Sequence, residues 1–301
     1  MAGATASGKT GLSLALAEAI AGDGHPAEII SADSRLVYRG MDVGTAKVTP
    51  PERARVPHHG LDLVEPDEPF SVAGFARHAR EALAGIGRRR GAALLTGGTG
   101  LYLRAVARGL PLEESGSDPA LRAELELRLA AEGPAALVAE LRRLAPTTAQ
   151  RVDLANPRRV VRALERAHLA GDVPPGQPRG YPGRVLWLGL RVEPAELGQR
   201  IAERAAAQFG GGLLDEAEAL MRRFPRELPA FSAFGYREAM AHLSGELTRD
   251  GALEVTVRRT RAYARRQRTW FRAEPDIRWL PDAADPLAAA LAEVRAFLAD
   301  A

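Results

Sequence analysis

Apolar residues fall along the chain in two kinds of pattern. Residues 28–32 (EIISA) and 92–96 (AALLT) are short runs rich in apolar residues, the signature of strands buried on both faces. The stretch 71–87 places Phe75, Ala79, Leu83 and Ile86 on one helical face behind Ser71, a good N-cap residue. Leu12, Leu14, Ala15, Leu16 and Ile20 predict an earlier helix, apolar over much of its surface, that stops at Gly22-Asp23-Gly24. Strands alternating with helices, with Gly-rich turns at strand ends, predict an α/β fold built on a parallel sheet. Ligands of such sheets sit at the carboxyl ends of the strands. Asp33 follows the first run, and Gly97-Gly98-Thr99-Gly100 follows the second.

From about residue 112 the alternation stops. Pro111 and the turn Ser115-Gly116-Ser117 lead into Ala- and Leu-rich helical segments, and no strand pattern returns before Val185–Leu190. Residues 172–184 (DVPPGQPRGYPGR) read as a closing Pro/Gly linker. The expected organisation is a core formed by residues 1–111 and 183–301, interrupted by a helical insertion at 112–182. Helices dominate after residue 190, with one weak strand candidate at 277–280. Internal repeats and low-complexity tails are absent from the sequence.

Residues 3–10, Gly3-Ala4-Thr5-Ala6-Ser7-Gly8-Lys9-Thr10, form a G-x-x-x-x-G-K-T phosphate loop (P-loop) at the head of the first helix. Gly3 and Gly8 let the backbone curl so that N–H groups point at phosphate oxygens, Lys9 adds a charge, and the Thr10 hydroxyl suits Mg²⁺. The helix N-terminus favours the same anion. Phosphate-loop kinases and NTPases use an acidic residue at a nearby strand end to hold the metal. Here the run 92–96 ends in Thr-Gly-Gly-Thr-Gly, and the only early strand-end carboxylate is Asp33. That suits a base beside the phosphates better than water activation for hydrolysis.

Composition narrows the field. The chain has 301 residues, no cysteine and a net charge of +3. It offers no disulfide framework, Cys-based zinc site or thiol nucleophile. It shows neither a secretory signal nor a membrane-length apolar run, so a cytoplasmic protein without membrane association is expected. Basic residues cluster: 258–272 (RRTRAYARRQRTWFR) holds seven Arg and no acid. At helical spacing Arg258, Arg261, Arg265, Arg268 and Arg272 form one stripe beside Val257, Ala264 and Phe271. Residues 151–184 carry a second Arg-rich stretch. Both suggest a polyanionic partner, with solvated Arg faces as the alternative.

Taken together, GATASGKT, SADSRLVYRGMDVGTAK (31–47), LLTGGTGLYLRA (94–105), NPRRVVRALE (156–165) and RRTRAYARRQRTWFR resemble the tRNA dimethylallyltransferase family in order and spacing over essentially the whole chain. The resemblance implies transfer of a dimethylallyl group from its diphosphate to N6 of the adenosine 3′ of the tRNA anticodon. It implies that the loop (Gly3, Ala4, Thr5, Ala6, Ser7, Gly8, Lys9, Thr10) and Arg200 hold the leaving diphosphate, with Mg²⁺ at Thr10. Arg204 completes the family's Arg-x-x-x-Arg pair. Asp33 matches the general base, and Lys9 and Thr10 share its catalytic site. Asp33, Ser34, Arg35, Leu36, Thr99, Tyr102, Arg158, Arg159 and Arg162 match positions expected to meet the tRNA. The implied partners are a tRNA anticodon stem-loop and dimethylallyl diphosphate, and nothing calls for more than a monomer. The target base must leave the anticodon stack to react, and the insertion and the Arg-rich helix are the natural clamps.

Three departures from the family pattern follow. Leu36 replaces the usual Gln of D-S-x-Q-V-Y and cannot hydrogen-bond. Ala155-Asn156-Pro157-Arg158-Arg159 stands where N-D-P-Q-R is usual, so contacts there are expected to reach phosphate more than base. Only Met1 and Ala2 stand before the loop, where the family has an apolar strand; a first strand missing through truncation or a misassigned start is the expectation. The rival readings are an adenylate isopentenyltransferase acting on free AMP, ADP or ATP, a small-molecule phosphate-loop kinase, and a non-catalytic RNA-binding protein. The insertion and arginines disfavour the first, and the acid-free GGTG turn disfavours the second.

Overall fold

The protein is described by a computed structural model covering residues 1–112, 118–173, 176–280 and 285–299. The expected turn at Ser115-Gly116-Ser117 and Pro174 and Pro175 of the linker lie outside the described residues. Helix α1 (Lys9–Gly22) leads into strand β1 (Ala27–Ser31), helix α2 (Pro50–Arg55), strand β2 (His58–His59), helix α3 (Val72–Arg88), strand β3 (Ala92–Thr96) and helix α4 (Gly100–Ala107). Helices α5 (Pro119–Glu132), α6 (Pro134–Leu144), α7 (Pro146–Ala149) and α8 (Pro157–Ala170) follow. Strand β4 (Leu188–Leu190), helices α9 (Pro194–Gly210), α10 (Leu213–Met221), α11 (Tyr236–Leu243) and α12 (Arg249–Arg272), strand β5 (Arg278–Leu280) and helix α13 (Pro286–Ala299) complete the chain. Contacts divide it into two compact units, Met1–Arg108 with Tyr181–Ala301, and Gly109–Gly180.

The first unit is built on parallel strands. β1 pairs with β2 on one side and β3 on the other, and β4 pairs with β5. All five residues of β1 are buried, as a central parallel strand requires. Glu28 is among them, and burial raises its pKa, but hydrogen bonds from His59 and Arg89 outweigh this and hold the carboxyl below its usual range. α3 starts where Ser71 accepts from the Gly74 N–H at 3.1 Å, and α12 starts behind Thr248, nine residues before the Arg-rich stretch. The strand expected over 185–190 contracts to Leu188–Leu190, whose partner Arg278–Leu280 is only three residues long.

Met1 and Ala2 join the two groups of strands. The Ala2 N–H donates to Leu188 O at 2.8 Å, and Ala2 O accepts from Leu190 N–H at 2.9 Å. On the other side Met1 O accepts from Gly97 N–H at 3.2 Å. Ala2 thus makes parallel bridges to both Gly97 and Gly189 and is fully buried. The Met1 α-ammonium donates to Leu95 O within the sheet. Next to these two residues, a cavity of about 330 Å³ is walled by apolar side chains of β3, β4, α1 and α13.

The second unit is helical among its described residues. Its core gathers Leu125, Leu137, Leu141, Val160, Val161 and Leu164, each worth about 1.5–3 kcal/mol on burial. Asp118 caps α5 and Asn156 caps α8, each followed by a proline at the first helical position.

Candidate active site

The phosphate loop is shaped by its backbone. Ala6 (φ 61°) and Gly8 (φ 89°) take left-handed conformations that curl the loop. α1 then begins at Lys9 without a side-chain cap, which leaves its first N–H groups to a ligand. Lys9 Nζ folds back to Ala4 O at 2.6 Å. From α12, Gln267 Oε1 accepts from the Thr5 N–H at 2.8 Å while its Nε2 donates to Gly98 O at 2.8 Å. One buried amide therefore latches the loop to the turn after β3. That turn needs Gly97, because a Cβ there would lie 2.0 Å from Ala32 O.

Loop residues Thr5–Gly11 line a cavity of about 380 Å³ together with Asp33, Leu36, Arg200, Arg204 and Gln267. Its apolar lining includes Ile29, Val48 and Leu61. Burial lowers the Lys9 pKa from 10.5 to about 8; Asp33 opposes this and Arg204 adds to it. Burial likewise lowers the Arg204 pKa against the opposing charge of Asp33, and Arg204 Nη2 is fixed on Thr45 O at 3.0 Å. Arg200 pairs with Glu196 at 2.5 Å, and its Nη1 lies close enough to the loop that a Cβ on Gly8 would be 3.9 Å away. The cavity thus brings three cationic side chains, Lys9, Arg200 and Arg204, to face one carboxylate.

Asp33 stands just past the end of β1, where its Oδ1 accepts from the Arg35 N–H at 2.9 Å. Thr99 Oγ1 accepts from the Ser34 N–H at 3.0 Å, and the Thr99 N–H donates to Ala32 O at 3.2 Å. Thr99 therefore clamps the turn that carries Asp33. Tyr263 of α12 also hydrogen-bonds Thr99, and burial pushes its hydroxyl up to about 12. Tyr102 is buried and stacks on Phe75 at 4.1 Å, and burial raises its pKa with Tyr38 and Asp33 adding. The Tyr102 ring is thus committed to the core. Arg35 reaches Pro229 O at 3.4 Å.

The signature VYRGMDVGTAK forms one wall. Glu216 of α10 accepts from the N–H groups of Asp42, Val43 and Gly44 and from the Tyr236 hydroxyl. Lys47, whose side chain is fully buried, pairs with Asp42 and Asp62, each at 2.6 Å. In the second unit, Arg158 is exposed at the start of α8. Arg159 pairs with Asp153 at 3.4 Å, and Arg162 holds the buried Glu165 at 2.6 Å. Arg162 therefore has a structural task as well as its expected outward one.

Sequence reasoning missed Gln267 and Tyr263 and left Arg204 ambiguous. The signal for Gln267 was legible: it falls on the stripe of Ala264 and Phe271, a polar residue on a buried helical face.

Comparison with known proteins decides the family. The family model described as IPP transferase matches residues 36–274. The chain is 47% identical over 286 residues to the tRNA dimethylallyltransferase of Thermus thermophilus, covering 93% of this chain and 91% of the relative. The chain belongs to the IPP transferase family. The tRNA dimethylallyltransferase of Anaeromyxobacter dehalogenans is also 47% identical, over 93% of this chain and 91% of its own length. The crystal structure of the full-length tRNA isopentenylpyrophosphate transferase from Bacillus halodurans matches with a TM-score of 0.71 at 37% identity, over 99% of this chain and 94% of that one. Membership makes the chain a prenyltransferase. Among the described residues no helix is long and apolar enough to cross a membrane.

Two outcomes follow from the geometry of this family member. At pH 8 roughly half of Lys9 is neutral, and a bound anion raises its pKa, so diphosphate binding should take up about half a proton and weaken as pH rises further. Titration calorimetry in buffers of different ionisation enthalpy reads the uptake, and Lys9→Met should remove it; equal uptake in both proteins would exclude Lys9. Gln267→Leu leaves the Thr5 N–H and Gly98 O unpaired, which costs about 1–3 kcal/mol. It should weaken diphosphate binding roughly tenfold while the variant still melts cooperatively; unchanged affinity would remove Gln267 from loop positioning.

Proposed function

We propose that the protein transfers a dimethylallyl group from dimethylallyl diphosphate to N6 of the adenosine 3′ of the anticodon in tRNA. The observation that carries this reading is the shared cavity: the phosphate loop, Arg200 and Arg204 face Asp33, with the Gly97-Gly98 turn in place of a strand-end acid. The names of the bacterial relatives, tRNA dimethylallyltransferases, point the same way.

In this reading the donor's diphosphate sits on the loop N–H groups, Lys9 and Arg200. The exocyclic N6 of adenosine is a weak nucleophile, because its lone pair is delocalised into the ring. It forms a bond to C1 of the dimethylallyl group as the C1–O bond to diphosphate breaks, and the bonding pair leaves with the diphosphate. Asp33 accepts the proton that N6 loses. The cationic cradle is preorganised for the charge that develops on the leaving oxygen, so little reorganisation is needed as the bond breaks. The apolar lining at Ile29, Leu36, Val48 and Leu61 excludes water that would hydrolyse the donor.

A divalent metal fits the donor set. The Thr10 hydroxyl is exposed at the cavity and Asp33 adds a carboxylate, while no cluster of three or more His, Asp or Glu ligands exists among the described residues. That combination suits Mg²⁺, which is commonly held by one or two protein oxygens plus substrate phosphates. Thr10 would hold it, and when bound it supplies charge neutralisation at the diphosphate. Ser34, Arg35, Leu36 and Thr99 would then meet the tRNA near Asp33, with Arg158 and Arg159 of the helical unit gripping its backbone. Tyr102 would act by supporting that wall from the core.

Labelled dimethylallyl diphosphate offered separately with an anticodon stem-loop and with AMP tests the reading. Label should enter the stem-loop alone; label in AMP and none in RNA would overturn it. Asp33→Asn should lower turnover about 10²–10⁴-fold while the stem-loop Kd stays within about threefold. Parallel losses in both would deny Asp33 the role of base.

A further inference from the structure

A second cavity, of about 480 Å³, lies against the phosphate loop and shares only Ser7 with the active-site cavity. Gly3 and Ala4 form its loop side, and Arg191, Arg268 and Arg272 bring three guanidinium groups to it against a single carboxylate, Glu193. Glu193 is also the N-cap residue of α9 and makes no side-chain hydrogen bond to that helix, so the helix start adds an uncapped positive dipole end. Arg191 stacks over Trp279 at 5.4 Å, which holds its charge at the rim. Among the described residues neither Arg268 nor Arg272 has an acidic or hydrogen-bonding partner for its guanidinium.

The deciding observation is Ser7. It is only 4% exposed, and its hydroxyl has no hydrogen-bond partner. A buried hydroxyl left unpaired costs about 1–3 kcal/mol, so such groups mark places where a ligand completes the bonding. Here the unpaired donor sits beside unpaired cations in one cavity.

We propose that this cavity is a second anion site, which takes a free phosphate-class anion such as inorganic diphosphate on Arg268, Arg272 and the Ser7 hydroxyl. The donor site uses the loop's N–H groups and Lys9; this one uses the α12 arginines. The two anions share a wall one loop thick. Their charges repel, so filling either site weakens the other, and the coupling is reciprocal. An enzyme that releases diphosphate would then sense its accumulation at a site apart from the chemistry. The inference does not require the reaction proposed above, because the two cavities are probed by different substitutions.

Calorimetric titration of the full chain with inorganic diphosphate at low salt tests it. The wild type should bind two anions, the second at least tenfold more weakly. Lys9→Met should lose the tight site and keep the weak one, whereas Arg268→Ala with Arg272→Ala should lose the weak one alone. Arg272→Ala, at an exposed position, reads the same site should the double variant fail to fold. A wild-type stoichiometry of one, or a weak site that survives both arginine variants, would overturn the proposal. Repeating the titration with saturating anticodon stem-loop separates the sources of phosphate. A retained second anion supports a free ligand, and its displacement would assign the site to an RNA phosphate and overturn the free-anion reading.

Discussion

Two residues of backbone join the two groups of strands in the first unit. Ala2 exchanges hydrogen bonds with Leu188 and Leu190 on one side, and Met1 accepts from Gly97 on the other. These bonds close the gap between β3 and β4 and fix where the phosphate loop starts. They also tie the loop to the Gly97-Gly98 turn, which in turn touches the Asp33 turn through Ala32 and Thr99. The phosphate loop and Asp33 are thus positioned by one short ladder. The ladder is backed by an apolar cavity beside Met1. Such a ladder has little redundancy, and for that reason the Gln267 latch matters: it repeats the loop-to-turn connection from a 24-residue helix with its own packed face.

The electrostatics follow from that arrangement. Lys9, Arg204 and Arg200 converge on the loop, yet the pKa values of Lys9 and Arg204 are lowered because burial costs them more than Asp33 returns. An anion bound beside these cations would offset that cost, each unit of pKa restored to Lys9 contributing about 1.4 kcal/mol to its binding. A second carboxylate at the end of β3 would have neutralised the cradle before any ligand arrived. The Gly-rich turn there keeps the positive potential available and lets the backbone pass within contact distance of Ala32.

Legibility followed the strength of local signals. β1, α3 and β3 were plain because their apolar periods are unmixed and Ser71 caps α3. The curl of the loop and the place of Asp33 just past β1 were plain because both patterns are local in sequence. β4 was over-read at Val185 and Leu186; the Trp187 carbonyl still accepts from the Arg278 N–H at 2.9 Å, and the pairing depends on β5, a distant segment. The burial of Gln267 was legible from the stripe it shares with Ala264 and Phe271, but its two partners, Thr5 and Gly98, are far away in sequence and were not. The Tyr102 motif shows nothing of the ring's stacking on Phe75, which is a tertiary contact; its hydroxyl still feels Asp33 and Arg35 at the site.

The most family-specific segment, VYRGMDVGTAK, owes much of its pattern to packing. Gly44 admits no side chain because the Tyr236 ring lies 2.4 Å from where a Cβ would be. Lys47 is a buried cation satisfied by Asp42, Asp62 and Tyr38 O, so losing either acid would strand it at a cost of several kcal/mol. The segment then delivers Thr45 and Ala46 to the cavity wall as a rigid edge. Leu36 enters the same cavity from the Asp33 turn and meets an apolar neighbourhood that includes Ile29, Val48 and Leu61. A leucine there extends that wall and leaves no buried amide unpaired, so residue 36 shapes this part of the cavity by apolar packing and offers it no hydrogen bond.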